Sequence, residues 1–372
     1  MGCLGLSLRS RRKRTSSESN AKKPGISDLG PPQDNMSPLA PPAPSRLRYD
    51  PEFWKAIEPF ASQQQPPAKN VSELRSALDK ILRAVFRLQP TPESIQQTRF
   101  TVTSADGTAV SLVRFATAAQ AAPGREPGPA VLFTHGGGMV CGSVDIFAPE
   151  IARHADAAAV PFWAVDYRLA PEHPAPAALD DCYAALAFLS AHGPRHGVDP
   201  ARLALVGDSA GGGLAAGTAL LARDRRLHPP VAKQVLVYPM LDDRTTVAAA
   251  ARPADWALRP FLTWSEADNV LAWDAYLGPA RRGSDRPGDV SAYAAPARAE
   301  SLAGLPPTYI DVGGLDLFRD EAVAYAARLA REDVEVEFHL WPGVPHGFDG
   351  QIGTTVARTA MATRRRAMGS GY

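Results

Sequence analysis

The amino-acid sequence predicts an α/β fold in which a mostly parallel sheet is covered by helices on both faces. Short apolar segments typical of buried strands alternate along the chain with longer helical patterns, and this order is characteristic of parallel strands joined by crossover helices. The chain has 372 residues, of which 45% are hydrophobic, so it can bury one large core. In such a sheet, the loops beyond the carboxyl ends of the strands hold the binding or catalytic residues.

The predicted elements begin with helices and continue as alternating strands and helices. Two helical segments are predicted at residues 51–57 and 72–86, and the second has an apolar stripe at helical spacing. Residues 99–103 and 109–115 flank an Asp-Gly pair and predict a hairpin. The later strands are predicted at residues 131–134, 161–166, 203–206, 235–238, 308–312 and 334–340, and the later helices at 177–190 and 320–331.

Residues 1–50 are predicted to be a disordered, basic and proline-rich tail. A basic cluster occupies residues 9–14, and such a composition is typical of a solvated segment. Gly2 and Cys3 followed by basic residues also resemble a lipid anchor, although Leu6 stands where that signal usually has Ser or Thr. An arginine- and serine-rich mitochondrial presequence is a further alternative. We expect a cytoplasmic protein, with peripheral membrane contact through the tail as the alternative.

Composition and charge exclude several classes of function. The net charge of +1 gives no general attraction to nucleic acid. The three cysteines form no paired framework, and no run of about 18 apolar residues predicts a transmembrane helix. The histidines lack the spacing of a zinc site, and the chain contains neither a Walker loop nor a dinucleotide-binding fingerprint. We therefore expect no metal and no cofactor.

The strand at residues 203–206 leads into a sharp turn that organises the predicted site. Gly207, Asp208, Ser209, Ala210 and Gly211 follow it, and a helical segment rich in Gly and Ala continues. A serine at the tip of a strand–turn–helix unit has a strained backbone, so the glycines on either side are needed because they lack a Cβ. The helix start behind Ser209 presents free amides to an oxyanion. The spacing alone also occurs by chance.

Three consecutive glycines follow the strand at residues 131–134. His135, Gly136, Gly137 and Gly138 form a loop in which backbone amides can turn toward a ligand. We expect the amides of Gly137 and Gly138, together with that of Ala210, to form an oxyanion hole. His135 is expected to shape the loop through hydrogen bonds rather than to act as a base.

The loop after the strand at residues 308–312 contains the predicted acid, Asp316. The competing carboxylates are less suitable, since Asp311 lies inside the strand and Asp320 and Glu321 fit the dipole of the following helix. A helix N-cap is the alternative role of Asp316. The chain order Ser, Asp, His is that of a known group of serine hydrolases.

The loop after the last strand contains the predicted base, His346. The other late histidine, His339, alternates with glutamates on the polar side of its strand and is expected to be solvated. Ser209, His346 and Asp316 would then act as nucleophile, base and orienting acid in acyl transfer. Cys141, just past the glycine loop, is expected to be a wall residue.

Several motifs occur together and in a fixed order around these residues. They lie at residues 135–138, 167–174, 207–212, 313–321 and 346–348. Together they resemble the hormone-sensitive-lipase-like α/β-hydrolases, the fold-3 esterase group, over residues 51–365. The resemblance implies an eight-stranded α/β-hydrolase sheet with a helical cap. The implied segments are the tail (1–50), N-terminal cap helices (51–98), the first part of the core (99–244), a cap insertion (245–300) and the second part of the core (301–372).

The resemblance also implies the chemistry of the substrate. It implies a serine carboxylesterase, or a lipase-like hydrolase, that cleaves short to medium acyl esters without a cofactor. The same triad in an amidase or a lactonase is one alternative, because nothing in the sequence separates the leaving groups. A non-catalytic receptor is another alternative, although receptors that resemble this family have lost the catalytic histidine and His346 is present here.

The chain departs from the family pattern at two positions. Leu317 follows the predicted acid where the family usually has Pro, and Met139 follows the glycine loop where an aromatic residue is frequent. We expect the first to affect the shape of the loop and the second the shape of the pocket. Large aromatic residues of the insertion suit an apolar substrate wall, or else pack the cap onto itself; these are Trp256, Phe261, Trp264, Trp273 and Tyr276.

Overall fold

Eight strands form one sheet in the part of the chain that the computed structural model describes. The described residues are 47–60, 67–88, 90–250, 252–253 and 256–369. The predicted tail, residues 1–50, lies outside these ranges except for residues 47–50. The strands are β1 (Ile95–Thr103), β2 (Ala109–Thr117), β3 (Gly128–Thr134), β4 (Phe162–Asp166), β5 (Val198–Asp208), β6 (Lys233–Val237), β7 (Thr308–Gly313) and β8 (Val336–Trp341).

The strand order is β1-β2-β4-β3-β5-β6-β7-β8. β2 pairs antiparallel with both β1 and β4, and all other neighbouring strands are parallel. Every residue of β7 is buried, as expected for a strand in a parallel sheet with helices on both faces. The predicted α/β class with a mostly parallel sheet is confirmed.

The helices lie between the strands and at both ends of the described chain. Ser143 caps one of them, since its hydroxyl accepts a hydrogen bond from the amide of Ile146 at 3.3 Å. The α-helices are α1 (Pro51–Ile57), α2 (Val71–Arg87), α3 (Ala118–Ala121), α4 (Val144–Ala158), α5 (Ala177–His192), α6 (Ala210–Asp224), α7 (Thr245–Ala250), α8 (Glu266–Leu277), α9 (Arg319–Arg331) and α10 (Thr355–Gly369).

The helix behind the predicted nucleophile, α6, is buried along most of its length. Its Gly and Ala residues allow neighbouring backbone to approach closely. A Cβ at Gly213 would collide with the carbonyl oxygen of Met240, and a Cβ at Gly217 with that of Tyr293. The glycines that weaken α6 as an isolated helix are therefore required by its packing.

The helices that were not placed from the sequence include α4 and α10. Pro149 lies inside α4, where it lacks the N–H that would bind the carbonyl four residues earlier and disfavours helical backbone at the preceding residue. The helical pattern of the sequence is therefore interrupted at Pro149, although the helix continues through this residue. β1 also begins at Ile95, four residues before the predicted strand.

The N-terminal segment and the segment at residues 245–300 contact each other near the loops at the carboxyl ends of the strands. The ring of Tyr49 lies edge-on to that of Phe261, with 5.0 Å between the ring centroids. α2 also contacts α8 and α4. The apolar stripe of α2 is buried only in part, since Leu74 is buried while Ile81 is exposed.

Candidate active site

Ser209 lies at the tip of the turn between β5 and α6. Its φ angle is +55°, in the left-handed region that most residues avoid. The two flanking glycines permit this turn, because a Cβ at Gly207 would collide with the carbonyl oxygen of Gly211 and a Cβ at Gly211 with that of Thr134. Only glycine fits at either position, so the turn aims the serine hydroxyl out of the sheet.

The structure brings Ser209, Asp316 and His346 together from three distant segments. Nε2 of His346 lies 2.9 Å from Oγ of Ser209, and Nδ1 lies 2.8 Å from Oδ2 of Asp316. The Asp316 carboxylate is fully buried, and its other oxygen accepts a hydrogen bond from the amide of Phe318 at 2.8 Å. The imidazole therefore bridges a hydroxyl and a fixed carboxylate.

Three further side chains hold His346 in place, two at its ring and one at its backbone, and none of them was predicted from the sequence to have this role. The rings of Tyr238 and Phe318 stand edge-on to it, with ring centroids at 4.6 and 5.1 Å. The hydroxyl of Thr263 donates a hydrogen bond to the carbonyl of His346 at 2.7 Å. Tyr238 and Phe318 follow the ends of β6 and β7, so their position beyond a strand was the signal available in the sequence.

The amides of Gly137, Gly138 and Ala210 donate no hydrogen bond within the described part of the chain. Gly137 and Gly138 have φ angles of +118° and +63°, which turn their backbone away from the regular path after β3. The amide of Gly136 is different, because it donates to Oδ2 of Asp208 at 3.2 Å. Three free amides and one bound amide therefore surround the turn at Ser209.

His135 is part of the buried wall of the glycine loop. Its Nδ1 donates to the carbonyl of Gly136 at 2.8 Å, and its ring stacks on that of Tyr167 at 4.3 Å. The Tyr167 hydroxyl in turn donates to the carbonyl of His135 at 2.7 Å. Burial lowers the pKa of His135, so its ring is neutral and shapes the loop.

The carboxylates and the histidine that were not assigned to the catalytic triad form contacts with other groups. Asp311 binds the guanidinium of Arg364 at 2.7 Å. Glu321 is buried and accepts a hydrogen bond from the amide of Leu241 at 2.6 Å. His339 is half-buried rather than solvated, because its Nε2 donates to Glu337 at 2.7 Å and its ring stacks on Trp341.

A cluster of buried ionisable groups behind Ser209 was also missed by the sequence analysis. Arg364 on α10 binds Asp311 and Asp349, and the hydroxyl of Tyr238 donates to Asp349 at 3.1 Å. Burial and the neighbouring Asp349 raise the pKa of Asp208 to about 7. No local pattern signals such a cluster, because its members come from different elements.

A cavity of about 260 Å³ opens at Ser209 and His346. One wall is the apolar face of α2, and the facing wall comes from α4, the glycine loop and α10. Cys141 lies in this wall, and burial raises the pKa of its thiol to about 12, which suits a wall residue. The apolar lining residues are Leu78, Ile81, Leu82, Val85, Phe86, Phe147, Trp264, Ile352 and Met361.

The aromatic residues of the insertion divide between two roles. Trp264 lines the cavity, and a Cβ at Gly138 would lie 2.8 Å from its ring. Trp273 and Tyr276 are buried in the core, and Phe261 contacts Tyr49. Of the five aromatic residues, one therefore forms the expected substrate wall.

The two departures from the family pattern lie in the core of the described chain. Met139 has a left-handed φ of 59° and is buried, and it is not among the described residues that line the cavity. Met139 therefore does not form part of the cavity wall, and the expected effect on the shape of the pocket stays a prediction. Leu317 is buried beside Asp316, whose carboxylate still reaches His346.

The described residues offer neither a metal site nor a membrane-spanning helix. Those residues contain no group of His, Cys, Asp and Glu side chains arranged to hold a metal ion. None of the described helices has the length and apolar character needed to cross a membrane.

The known proteins that this chain resembles include α/β-hydrolases and esterases. A family model described as α/β hydrolase fold matches residues 131–350. Esterase LipI of Mycobacterium tuberculosis is 39% identical over 242 residues, which cover 65% of this chain and 72% of LipI. Carboxylesterase NlhH of the same species is 39% identical over 229 residues, which cover 59% of this chain and 66% of NlhH.

Solved structures resemble the chain over a larger share of its length. A bacterial heroin esterase superposes with a TM-score of 0.75 at 35% identity, covering 86% of this chain and 96% of its own. A hyperthermophilic esterase from Pyrobaculum calidifontis gives a TM-score of 0.73 at 28% identity, covering 87% and 98%.

Proposed function

This chain belongs to the hormone-sensitive-lipase-like family of α/β-hydrolases and is a carboxylic ester hydrolase, and we propose that it cleaves esters through Ser209, His346 and Asp316. Two distances carry the proposal, 2.9 Å from Ser209 Oγ to His346 Nε2 and 2.8 Å from His346 Nδ1 to Asp316 Oδ2. Both are hydrogen-bond lengths, and together they connect a nucleophile, a base and a carboxylate that orients the base.

The reaction begins when Ser209 attacks the ester carbonyl and His346 takes the proton of the serine hydroxyl. Asp316 accepts a hydrogen bond from the Nδ1–H of His346, which fixes the tautomer with a free Nε2 and stabilises the imidazolium that forms. The imidazolium then protonates the departing alcohol, and an acyl-enzyme remains. A water activated by His346 hydrolyses the acyl-enzyme and releases the acid.

The negative charge of the tetrahedral intermediate is held by backbone amides. Those of Gly137, Gly138 and Ala210 are suited to this role, because they donate no other hydrogen bond in the described chain. Ala210 is the first residue of α6, so the positive end of the helix dipole adds to the stabilisation. One such donor contributes about 3 kcal/mol to the transition state.

The proposed substrates are esters with short to medium acyl chains. The cavity of about 260 Å³ is lined mainly by aliphatic and aromatic side chains around Ser209, and such a lining favours an apolar substrate arm. The similar proteins are also named as esterases.

We further propose that residues 51–98 and 245–300 form a cap over a core made of residues 99–244 and 301–372. Two contacts support this division. The helix α2 of the first segment contacts α8 of the insertion, and Thr263 of the insertion binds the carbonyl of His346 in the core. The cap thereby covers the cavity and also supports the catalytic base.

Labelling of the nucleophile tests the mechanism. We expect a fluorophosphonate to modify the wild-type protein with one equivalent at Ser209 and to abolish the hydrolysis of p-nitrophenyl butyrate. The variant Ser209→Ala should not be labelled and should lose roughly four to six orders of magnitude in kcat, because triad residues act as a unit. Labelling at another serine, or full turnover in Ser209→Ala, would contradict the proposal.

A further inference from the structure

The cavity that contains Ser209 also contains an arginine with no hydrogen-bonded partner among the described residues. Arg153 lies on α4, lines the cavity, and is half-buried. Its Nη1 is buried and has no acceptor in the described part of the chain. A buried N–H without an acceptor costs free energy, so an acceptor that arrives with a ligand would remove that cost.

The helix α4 places Arg153 at a distance from the glycine loop. Phe147, Glu150 and Arg153 are spaced by three residues, and His154 lies four residues after Glu150. All four line the cavity, as expected for one helix face. Phe147 stacks on His135 of the glycine loop at 5.1 Å. Arg153 is six residues further along, which is about 9 Å along the helix axis at ~1.5 Å per residue.

Glu150, the acidic neighbour of Arg153 on the same face of α4, forms no hydrogen bond with Nη1 of Arg153. Burial raises the pKa of Glu150 well above its ordinary value, so this carboxyl keeps its proton to higher pH. Burial also lowers the pKa of His154 to about 4, so its ring is uncharged at neutral pH. The guanidinium of Arg153 stays protonated under all ordinary conditions.

The carboxylates nearer to Ser209 are held by other groups. Asp349 binds Arg364 and accepts the hydroxyl of Tyr238. Asp208 accepts the amide of Gly136. An anionic group on the substrate would therefore be accommodated beside Arg153 rather than beside the nucleophile.

The part of the cavity between Ser209 and Arg153 suits an apolar spacer. Leu82, Val85 and Met361 line the same cavity as Ser209 and Arg153. A substrate that fits these features has an ester at one end, an aliphatic stretch, and an anion at the other end.

We propose that the preferred substrate is an ester whose apolar arm ends in a carboxylate, and that Arg153 binds this carboxylate. The inference rests on the proposed function, because it assigns a substrate class to the same site. Guanidinium and carboxylate form paired, charge-assisted hydrogen bonds. For a half-ester of a dicarboxylic acid, hydrolysis consumes one water and releases the dicarboxylic acid and the alcohol.

Matched substrates test this assignment. One series consists of mono-p-nitrophenyl esters of succinate, glutarate, adipate, pimelate and suberate, each compared with the methyl-terminated ester of similar length. A second series consists of acetate esters of ω-hydroxy acids and of the corresponding alcohols, which places the carboxylate on the alcohol side. We expect wild type to prefer the anionic ester, in kcat/KM, at one or more lengths in one series.

Variants at Arg153 then separate binding of the anion from general effects. Arg153→Met should lower the ratio of kcat/KM for the anionic over the neutral ester by about tenfold to a hundredfold, mainly through KM, as expected for loss of a charged hydrogen bond. Arg153→Lys should keep part of the preference. Arg83→Met is the matched control, because Arg83 is exposed on α2 and does not line the cavity, and it should leave the ratio unchanged.

Two results would overturn the inference. One is a wild-type enzyme that prefers the neutral ester at every length in both series. The other is a ratio that is the same in wild type and Arg153→Met, with the fold of the variant verified by its thermal transition. Failure of the proposed function is distinct, since wild type would then hydrolyse neither type of ester faster than Ser209→Ala.

Discussion

At the scale of residues, the surroundings of a single side chain determine its protonation, and Asp208 beside Ser209 is an example. Asp208 lies next to the nucleophile, and its Oδ2 fixes the amide of Gly136 while its Oδ1 is buried without a hydrogen-bond partner in the described chain. Burial and Asp349 raise the pKa of Asp208 to about 7. The same carboxyl that holds the glycine loop is therefore costly to ionise in the folded protein.

We expect this cost to appear in the pH dependence of stability. Between the ordinary pKa of 3.8 and about 7, folded Asp208 binds more protons than unfolded Asp208, so its contribution to the unfolding free energy falls as the pH rises through this window. Asp208→Asn removes the titration and still offers an oxygen to Gly136. The unfolding free energy of the variant, relative to wild type, should increase from pH 4 to pH 7 and then level off in urea titrations.

A half-exposed carboxyl provides the control for this measurement. Arg202 lowers the pKa of Asp199, which lies at the surface, so the relative stability of Asp199→Asn should change in the opposite direction and by less. A flat difference between Asp208→Asn and wild type from pH 4 to pH 7 would contradict a raised pKa at Asp208.

At the scale of elements, α2 forms one wall of the cavity at Ser209. Its apolar stripe would be an ordinary packing face in an amphipathic helix, but Leu78, Ile81, Leu82 and Val85 line the cavity at Ser209. The stripe is therefore only partly covered by protein. We infer that the substrate arm completes the burial of α2.

A larger side chain on this face should shorten the longest acyl chain that the enzyme accepts. Leu82 is half-buried and lines the cavity, so Leu82→Trp fills space that the arm would occupy. We expect kcat/KM for p-nitrophenyl octanoate, relative to acetate, to fall roughly tenfold or more, since one methylene in a pocket already changes discrimination by about tenfold. An ester series from acetate to decanoate measures the shift.

Leu88 gives the matched control on the same segment. It is 84% exposed just after α2 and is not among the cavity residues, so Leu88→Trp should leave the chain-length profile unchanged. An equal shift of the chain-length profile in both variants would show that the tryptophan at position 82 acts through the protein surface and not through the cavity.

Elements were predictable from the sequence where local signals mark them. Ser209, Asp316 and His346 each follow a strand that ends in glycines or a turn, and the rule that loops at the carboxyl ends of strands meet was enough to nominate them. The helix α4 was missed because Pro149 interrupts its pattern. Local signals mark where elements end, and tertiary packing decides which breaks are tolerated.

At the scale of the whole molecule, the sequence could not predict the cluster that joins α10 to the sheet. Residues 364–366 are three consecutive arginines, which is typical of a solvated helix face. In the structure the first, Arg364, is buried while Arg365 is exposed. The partners of Arg364 lie 53 and 15 residues away, at Asp311 and Asp349, and no periodic pattern encodes such pairing.

This cluster should contribute strongly to stability, because it ties α10 and the segment after His346 to β7. Arg364→Met would leave the buried carboxylates of Asp311 and Asp349 without their cation, and breaking a buried pair in this way costs about 3–5 kcal/mol. Burial opposes the ionisation of Asp349, and Arg364 outweighs it and lowers the pKa of this group. Without Arg364, Asp349 can take up a proton as the pH falls.

The expected signature is therefore a loss of stability that depends on pH. Arg364→Met should lower the unfolding free energy by about 3–5 kcal/mol at pH 7 and by less at pH 5, where protonation relieves part of the burial cost. Urea unfolding at both pH values measures the difference. Arg365→Met is the control, because Arg365 is exposed and donates to the carbonyl of Met361 at 3.3 Å. Equal losses in the two variants, or a larger loss at pH 5 for Arg364→Met, would contradict a role of the buried cluster in joining α10 to β7.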